Sequence, residues 1–235
     1  MSTPLITDHM PLRVVMMGAS GAVGAHVVAA LQAAARCEVL TLLNRRPLDR
    51  VTGGTVHSYV INVEDPSTYQ AYLAGHHAAV CTLGVGQPSA VSAAEFVRVD
   101  RDAVAAFAVA CKQAGIAHFS LLSSVGADAS SRSFYLRTKG ELINSIVALG
   151  FARVSIFHPS MILTPTNRYG VMQGLMLTVW PSLGVVLQGP LRKYRGISDA
   201  TLGTAIAQNL FTAGSGVEQL HWDQCMALAQ RDGAP

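Results

Sequence analysis

Charged residues are scarce in this chain of 235 residues: they make up 13% of it, against about a quarter in an average globular protein. Half of the residues are hydrophobic, and this balance predicts a folded chain, because disordered chains are poor in apolar residues and rich in charge. The formal net charge is only +3, and no basic run is longer than Arg45-Arg46. A nucleic-acid partner is therefore not expected, because binding to phosphates requires clustered lysine and arginine.

Cysteine is also rare, and the four cysteines form no C-x-x-C pair. They are Cys37, Cys81, Cys111 and Cys225. Isolated cysteines of this kind predict buried thiols in a reducing cytosol rather than disulfides. The eight histidines lack the H-E-x-x-H spacing and the cysteine partners of a zinc site, so no metal is expected.

Long apolar runs that could enter a membrane are nearly absent as well. The N-terminal segment MSTPLITDHMPLR carries an acidic residue and lacks an apolar core, which is not the pattern of a secretory signal peptide. Residues 169–191 are uncharged and long enough to span a bilayer, but Pro181 and four glycines interrupt them. We expect a buried or lid-like segment there, no stable membrane span, and a cytoplasmic protein.

Short apolar runs alternate with amphipathic segments along the chain. The predicted strands are residues 12–17, 38–43, 55–61, 78–83, 117–123, 152–157 and 217–220. The predicted helices are residues 21–35, 67–73, 89–114, 134–149 and 200–211, with a further helix at the C-terminal end. This alternation predicts the α/β class, with a doubly wound parallel sheet that binds ligands at the carboxyl ends of its strands. Residues 1–160 would form the nucleotide-binding core, and residues 161–235 a small C-terminal cap that completes the same domain.

A glycine-rich turn follows the first predicted strand, with the sequence Gly18-Ala19-Ser20-Gly21-Ala22-Val23-Gly24. Glycines at this place let the backbone approach a diphosphate, whose charge is stabilised by free amides and by the helix dipole. The spacing is G-x-x-G-x-x-G rather than G-x-G-x-x-G, and glycines also serve tight packing between a strand and a helix. Between a buried strand and an amphipathic helix, however, the turn predicts a dinucleotide site.

The end of the second strand indicates which dinucleotide is bound. NAD sites usually carry an acid there, which binds the 2′-hydroxyl of the ribose. This strand ends in Asn44-Arg45-Arg46, and no acid follows before Asp49. A guanidinium can bind a 2′-phosphate through two parallel hydrogen bonds, so the pattern favours NADP(H) over a pair of solvated surface charges.

A second motif places Tyr135 and Lys139 one helical turn apart on the same helix face. A phenol is a poor acid or base at neutral pH, and a neighbouring ammonium stabilises its ionised form. Ser123 and Ser124 end the strand before this helix, where a hydroxyl can polarise a substrate carbonyl. Y-x-x-x-K alone is common by chance, but together with the glycine turn it predicts a catalytic pair. Ser124 fits the position just past the strand end better than Ser123, which stays the alternative.

These motifs together resemble an atypical short-chain dehydrogenase/reductase, most similar to the Tat-interacting oxidoreductase group. The matching segments are GASGAVG, LNRR, CTLG, EFVRVDRD, HFSLLSSVGAD and YLRTKGE, within about residues 12–165. The resemblance implies a Rossmann fold, with Tyr135 as proton donor or acceptor and Lys139 on the cofactor ribose. The cofactor-binding residues that follow from the motifs and the resemblance are Gly18, Ser20, Gly21, Ala22, Val23, Gly24, Arg45, Arg46, Leu83, Gly84, Tyr135, Lys139, Pro159 and Arg168.

Two positions depart from the family pattern. Asn62 stands where the family often has an aspartate near the adenine, and His158-Pro159-Ser160 replaces the more usual Arg-Pro-Gly. Both departures leave the detailed geometry of the cofactor pocket open.

The sequence thus predicts an NADPH-dependent oxidoreductase that reduces a small carbonyl compound. Tyr135 would protonate the carbonyl oxygen, Ser124 would hold it, and Lys139 would assist the tyrosine. The alternative is a non-catalytic regulatory protein that senses NADP(H) on the same fold, because fold alone does not determine function. The substrate is not readable from the sequence, and a monomer and a dimer are both compatible with it.

Overall fold

The strands of the protein follow the predicted alternation closely. The computed structural model describes residues 11–48, 54–164 and 187–231. Its strands are β1 (Leu12–Met17), β2 (Cys37–Asn44), β3 (Val56–Val60), β4 (Ala78–Cys81), β5 (His118–Leu122), β6 (Arg153–Phe157), β7 (Ile162–Leu163), β8 (Ile197–Ser198) and β9 (Gly216–Leu220). Its helices are α1 (Ala22–Ala33), α2 (Ala93–Val97), α3 (Ala103–Gln113), α4 (Phe134–Ala148), α5 (Asp199–Asn209) and α6 (Trp222–Ala229).

Seven of these strands form one sheet in the order β3-β2-β1-β4-β5-β6-β9, and every neighbouring pair is parallel. The chain passes from β1 to β2 on one side and later from β3 to β4 on the other, so the strand order reverses beside β1. In sheets of this kind the crevice at the carboxyl ends of the two diverging strands binds the ligand. The predicted Rossmann-type α/β fold is confirmed, and it directs attention to the ends of β1 and β4.

The core lies on both faces of this sheet, which explains the apolar run at residues 14–17 of β1. Val15 and Met17 pack on one side with α3 and α4, whereas Val14 and Met16 pack on the other side with α1, α5 and α6. Successive side chains of a strand point to opposite faces, so a strand covered on both faces must be apolar at nearly every position.

The predicted helix over residues 89–114 is the main local difference from the sequence analysis. The α-helix begins only at Ala93, where Ser92 is the N-cap and its hydroxyl accepts from the backbone N–H of Glu95. Between α2 and α3 the chain forms one wider π-helical turn, Arg98–Asp102. The predicted helix over residues 67–73 is likewise shorter, because it consists of two 3-10 turns, Pro66–Thr68 and Gln70–Tyr72.

The described part of the C-terminal region packs on the same sheet. β9 lies beside β6 at the sheet edge, α5 packs against α1, and β8 pairs with β7. Nowhere in residues 11–48, 54–164 and 187–231 is there a helix of the length and apolarity that crossing a membrane requires. Most of the uncharged stretch at residues 169–191 lies outside these ranges.

Candidate cofactor and active site

The glycine turn after β1 is packed so closely that side chains are excluded from it. Gly18 has a φ of +97°, and a Cβ there would lie 2.6 Å from the backbone nitrogen of Leu83. A Cβ on Gly24 would lie 2.1 Å from the carbonyl oxygen of Gly18. The Thr82 hydroxyl also donates to that oxygen, at 3.0 Å, and so holds the turn against the end of β4. These glycines therefore let the turn, α1 and β4 meet.

The N-terminal end of α1 is open towards the space beside this turn. Its N-cap, Gly21, provides no side-chain hydrogen bond, and the first turn of the helix contains no acidic residue. Gly21, Ala22 and Val23 line the adjoining cavity. The first amides of a helix lack partners within the helix and carry the positive end of its dipole, so this end of α1 suits an anionic group such as a diphosphate.

A first cavity extends from the glycine turn to the ends of β2 and β4. Arg45, Val63 and Leu83 are among the residues that line it, as are Gly18, Ser20, Gly21 and Gly84. Val63 is a lining residue that the sequence analysis did not identify. Asn62, the position that departs from the family pattern, is exposed, and its side chain accepts from the backbone N–H of Glu64 instead of lining the cavity.

The two arginines after β2 differ in their position. Both side chains are exposed, but Arg45 lines the first cavity and Arg46 does not. Neither forms an ion pair with any residue of the described part of the chain. The structure thus places one of the two predicted arginines beside the cavity, and it leaves the guanidinium without a competing carboxylate in the described residues.

A second cavity of about 380 Å³ joins the glycine turn to the predicted catalytic residues. Ala22, Val23, Gly24, Leu83, Gly84, Tyr135 and Lys139 all line it. This volume lies within the range of small-molecule sites, about 300–1,000 Å³. The structure therefore brings the two sequence motifs, more than a hundred residues apart, onto one cavity.

Helix α4 carries Tyr135 and Lys139 and is held close to the preceding loop. A Cβ on Gly140 would lie 2.2 Å from the backbone nitrogen of Ala129, so only glycine permits this approach. The Tyr135 ring packs on Phe96 of α2, with ring centroids 5.4 Å apart. These contacts fix the side of α4 that faces the cavity.

Lys139 has a buried partner that the sequence analysis did not identify. Its ammonium lies 2.8 Å from Oδ1 of Asp100, and both side chains are almost fully buried. Oδ2 of the same carboxylate accepts from the backbone N–H of Val85 at 2.8 Å. Asp100 belongs to the segment EFVRVDRD, which carries part of the family resemblance, but nothing in the segment itself indicates which acid turns inward.

The two serines after β5 are placed differently from the expectation. Ser123 is buried, lines the second cavity, and has a side-chain oxygen with no hydrogen-bond partner among the described residues. Ser124 does not line the cavity, and its hydroxyl lies 3.4 Å from the carbonyl oxygen of Val125. The geometry therefore favours Ser123, which the sequence analysis placed second, because its hydroxyl is the one beside the cavity.

The segment after β6 reaches the cavity one residue later than expected. Pro159 is buried and lines neither cavity, and its carbonyl accepts from the backbone N–H of Val125 at 2.9 Å. Ser160, Met161 and Ile162 line the second cavity instead. Arg168, the other cofactor residue expected here, lies outside the described residues.

His158, the second departure from the family pattern, has a structural partner on each ring nitrogen. Nδ1 lies 2.9 Å from the carbonyl oxygen of Ser124, and Nε2 contacts the side chain of Gln219 on β9.

Cys81, at the end of β4, is buried, and burial raises the pKa of its thiol to about 12. This thiol is protonated at neutral pH, so a nucleophilic role is not supported.

Comparison with known proteins agrees with this geometry. Residues 18–149 match a family model described as NAD(P)H-binding. The chain belongs to this family. The match begins at the glycine turn and ends with α4, so it spans both motifs of the site.

Two curated relatives give the family a context. The chain is similar to the protein HTATIP2 of Rattus norvegicus, with 37% identity over 152 residues, which are 64% of this chain and 62% of the rat protein. The match thus spans less than two thirds of the rat protein. The chain is also similar to protein FMP52, mitochondrial, of Debaryomyces hansenii, with 28% identity over 209 residues, which are 86% of this chain and 90% of that protein.

Solved structures with low sequence identity share the fold. MoeE5 in complex with UDP-glucose and NAD superposes with a TM-score of 0.66 at 17% identity, over 89% of this chain and 76% of MoeE5. The Bordetella bronchiseptica enzyme WbmH in complex with NAD⁺ superposes with a TM-score of 0.65 at 13% identity, over 89% of this chain and 75% of WbmH. The resemblance to an atypical short-chain dehydrogenase/reductase, as an NAD(P)-binding family with the Rossmann fold, is confirmed.

The comparisons also correct one expectation. The fungal relatives from Debaryomyces hansenii, Scheffersomyces stipitis and Candida albicans are named as mitochondrial proteins. These names contradict the prediction of a cytoplasmic location. The composition could not have decided the matter, because scarce, unpaired cysteines are compatible with any reducing compartment.

Proposed function

We propose that the protein is an NADPH-dependent oxidoreductase that reduces a small carbonyl compound at Tyr135 and Lys139. The observation that carries this proposal is the second cavity, which runs from the open end of α1 to these two side chains and to the Ser123 hydroxyl. A protein that only binds the cofactor needs the end of this cavity beside α1, whereas an oxidoreductase also needs the end beside Tyr135 and Lys139.

The residues present fit a nicotinamide dinucleotide. The close packing at Gly18 and Gly24 leaves backbone rather than side chains beside the cavity, and the first amides of α1 would hold the diphosphate. Arg45 would bind a 2′-phosphate, which is the reason to propose NADPH over NADH. Lys139 would donate to the ribose next to the nicotinamide. When bound, the cofactor supplies a hydride.

The protein's own side chains supply the rest of the reaction. With a hydride delivered to the carbonyl carbon, the Tyr135 hydroxyl would give its proton to the carbonyl oxygen to form an alcohol, and the phenolate left on Tyr135 would regain a proton from solvent. The Ser123 hydroxyl donates a hydrogen bond to the same oxygen as negative charge develops on it. Proton transfer from a positioned group of this kind contributes about 10²–10⁴-fold to the rate.

A second candidate is a protein that binds NADP(H) without turnover. The observation that favours it is the ion pair between Lys139 and Asp100, because the carboxylate offsets the charge that Lys139 would otherwise present to Tyr135. Such a protein requires the glycine turn and Arg45, but it does not require a proton donor at Tyr135.

Oxidation of NADPH by the purified protein, measured against a panel of aldehydes, ketones and quinones, separates the two candidates. Tyr135→Phe is expected to lower turnover of any substrate found by about a hundredfold or more, because it removes the proton donor. Its affinity for NADPH should change by less than about threefold, because the ring and its contact with Phe96 remain.

Tyr72→Phe is the matched control, because it also removes one phenol hydroxyl, from a tyrosine that stacks on Tyr59 outside both cavities. It should leave turnover unchanged. Unchanged turnover in Tyr135→Phe would exclude the proposed mechanism, and a protein that binds NADPH but oxidises it with no compound of the panel would favour the second candidate.

A further inference from the structure

Asp100 occupies an unusual position for a carboxylate. It lies in the π-helical turn Arg98–Asp102 and is 4% exposed. Single π-helical turns inside α-helices are rare and occur frequently at functional sites. The other charged residues of the turn point outward: Arg98 pairs with Glu64, and Arg101 pairs with Asp102 at the surface.

The buried pair of Asp100 with Lys139 is not explained by stability. Removing two charges from water costs more than their attraction often returns, and apolar residues of similar volume stabilise many proteins equally well or better. The cavity that both residues line gives the pair another role, because Lys139 is the group that would contact the cofactor ribose.

The same carboxylate also contacts the loop that separates the two cavities. Oδ2 accepts from the N–H of Val85, and a Cβ on Gly84 would lie 3.0 Å from Oδ1. Leu83 and Gly84 line both cavities. Asp100 therefore holds two parts of the cofactor site at once, the lysine on α4 and the backbone after β4, which belong to distant segments of the chain.

We propose that Asp100 is a positioning residue, which holds Lys139 and the loop after β4 in the arrangement that binds the dinucleotide. The proposal rests on the cofactor part of the proposed function, but it does not depend on reduction of a carbonyl. It assigns Asp100 an effect on cofactor affinity that acts through Lys139 and not through the charge of Asp100 itself.

The charge of Asp100 and its contact with Lys139 have opposite effects on the binding of NADPH, so that an experiment can separate them. Removal of a carboxylate favours binding of an anionic cofactor by Coulomb attraction, whereas loss of the contact that positions Lys139 disfavours it. Asp100→Asn removes the charge and nearly keeps the shape. The oxygen that asparagine retains can still accept from the N–H of Val85, so the contact with the loop is kept. Lys139→Met removes the group that is positioned, so in that background Asp100→Asn changes only the charge.

The experiment measures the dissociation constant of NADPH for wild type, both single variants and the double variant, by calorimetric titration, with folding checked by circular dichroism. Asp100→Asn should weaken binding by about tenfold, the effect of losing one charge-assisted hydrogen bond. The same substitution in the Lys139→Met background should not weaken it further. Asp102→Asn, which removes a carboxylate from the surface of the same turn, should change affinity by less than about twofold.

Unchanged affinity in Asp100→Asn, or an equal loss with and without Lys139, would overturn the proposal. If Asp100→Asn does not fold, Asp100→Glu replaces it in both backgrounds, because glutamate keeps the charge and displaces the carboxylate. A loss of NADPH affinity that is larger with Lys139 than without it supports positioning, and no loss or an equal loss in both backgrounds contradicts it. A protein that shows the coupling but reduces no carbonyl would overturn the reductase proposal alone.

Discussion

Replacement of Ser123 by alanine tests the assignment of the two serines and has an unusual expected outcome. The Ser123 hydroxyl is buried beside the second cavity and has no partner in the described residues. A hydroxyl in this state can donate to a group that binds in the cavity, such as the carbonyl of the proposed substrate. Ser124→Ala is the matched control, because it makes the same chemical change one residue away, outside the cavity lining.

The effects on stability and on turnover have different magnitudes. A buried polar group without a partner costs about 1–3 kcal/mol, so Ser123→Ala should leave the free energy of unfolding unchanged or raise it by up to about 1 kcal/mol. Loss of one hydrogen-bond donor to a developing negative charge lowers turnover by about 10²–10³-fold. The variant is therefore expected to be at least as stable as wild type and nearly inactive.

The two assays are urea unfolding and the initial rate of NADPH oxidation with the substrate that the panel identifies. Ser124→Ala should retain turnover within about threefold. A large loss in Ser124→Ala with normal turnover in Ser123→Ala would restore the order that the sequence favoured. A fall of more than about 1 kcal/mol in the stability of Ser123→Ala would refute the argument that its hydroxyl lacks a partner.

Two further predictions concern the cofactor and the pH. Arg45→Ala should weaken the binding of NADPH by about tenfold and leave the binding of NADH unchanged, as measured by calorimetric titration. Arg46→Ala, which lies outside the cavity, should change neither affinity. An equal loss of affinity for both cofactors in Arg45→Ala would contradict this prediction. Burial lowers the pKa of His118 well below 6.5, so the unfolded chain binds a proton there that the folded protein does not. The free energy of unfolding should therefore fall as the pH falls below 6.5, by up to about 1.4 kcal/mol per pH unit from this group. Urea unfolding of His118→Gln between pH 5 and 7.5 should show a smaller slope. An unchanged slope would refute the assignment of this pH dependence to His118.

The sequence by itself determined the sheet and the composition of the cofactor turn. Both depend on local periodicity: β1 is apolar at nearly every position because helices cover both of its faces, and an amphipathic pattern marks α1 and α4. The spacing of Tyr135 and Lys139 also required no tertiary information, because residues four apart share a face of any α-helix. The family resemblance added the end of β4, where Leu83 and Gly84 line the cavities.

Tertiary structure decided which member of each adjacent or nearby pair faces the site. Ser123 rather than Ser124 and Arg45 rather than Arg46 line the cavities. Such choices depend on where a strand ends and how the next loop leaves it, and a shift of one residue reverses them. Asp100 is the clearest case: it meets Lys139 because a π-helical turn rotates it inward, and because α4 packs close enough for the two side chains to touch. Neither condition is encoded in the local pattern of charges, since four charged residues within five positions would ordinarily face water.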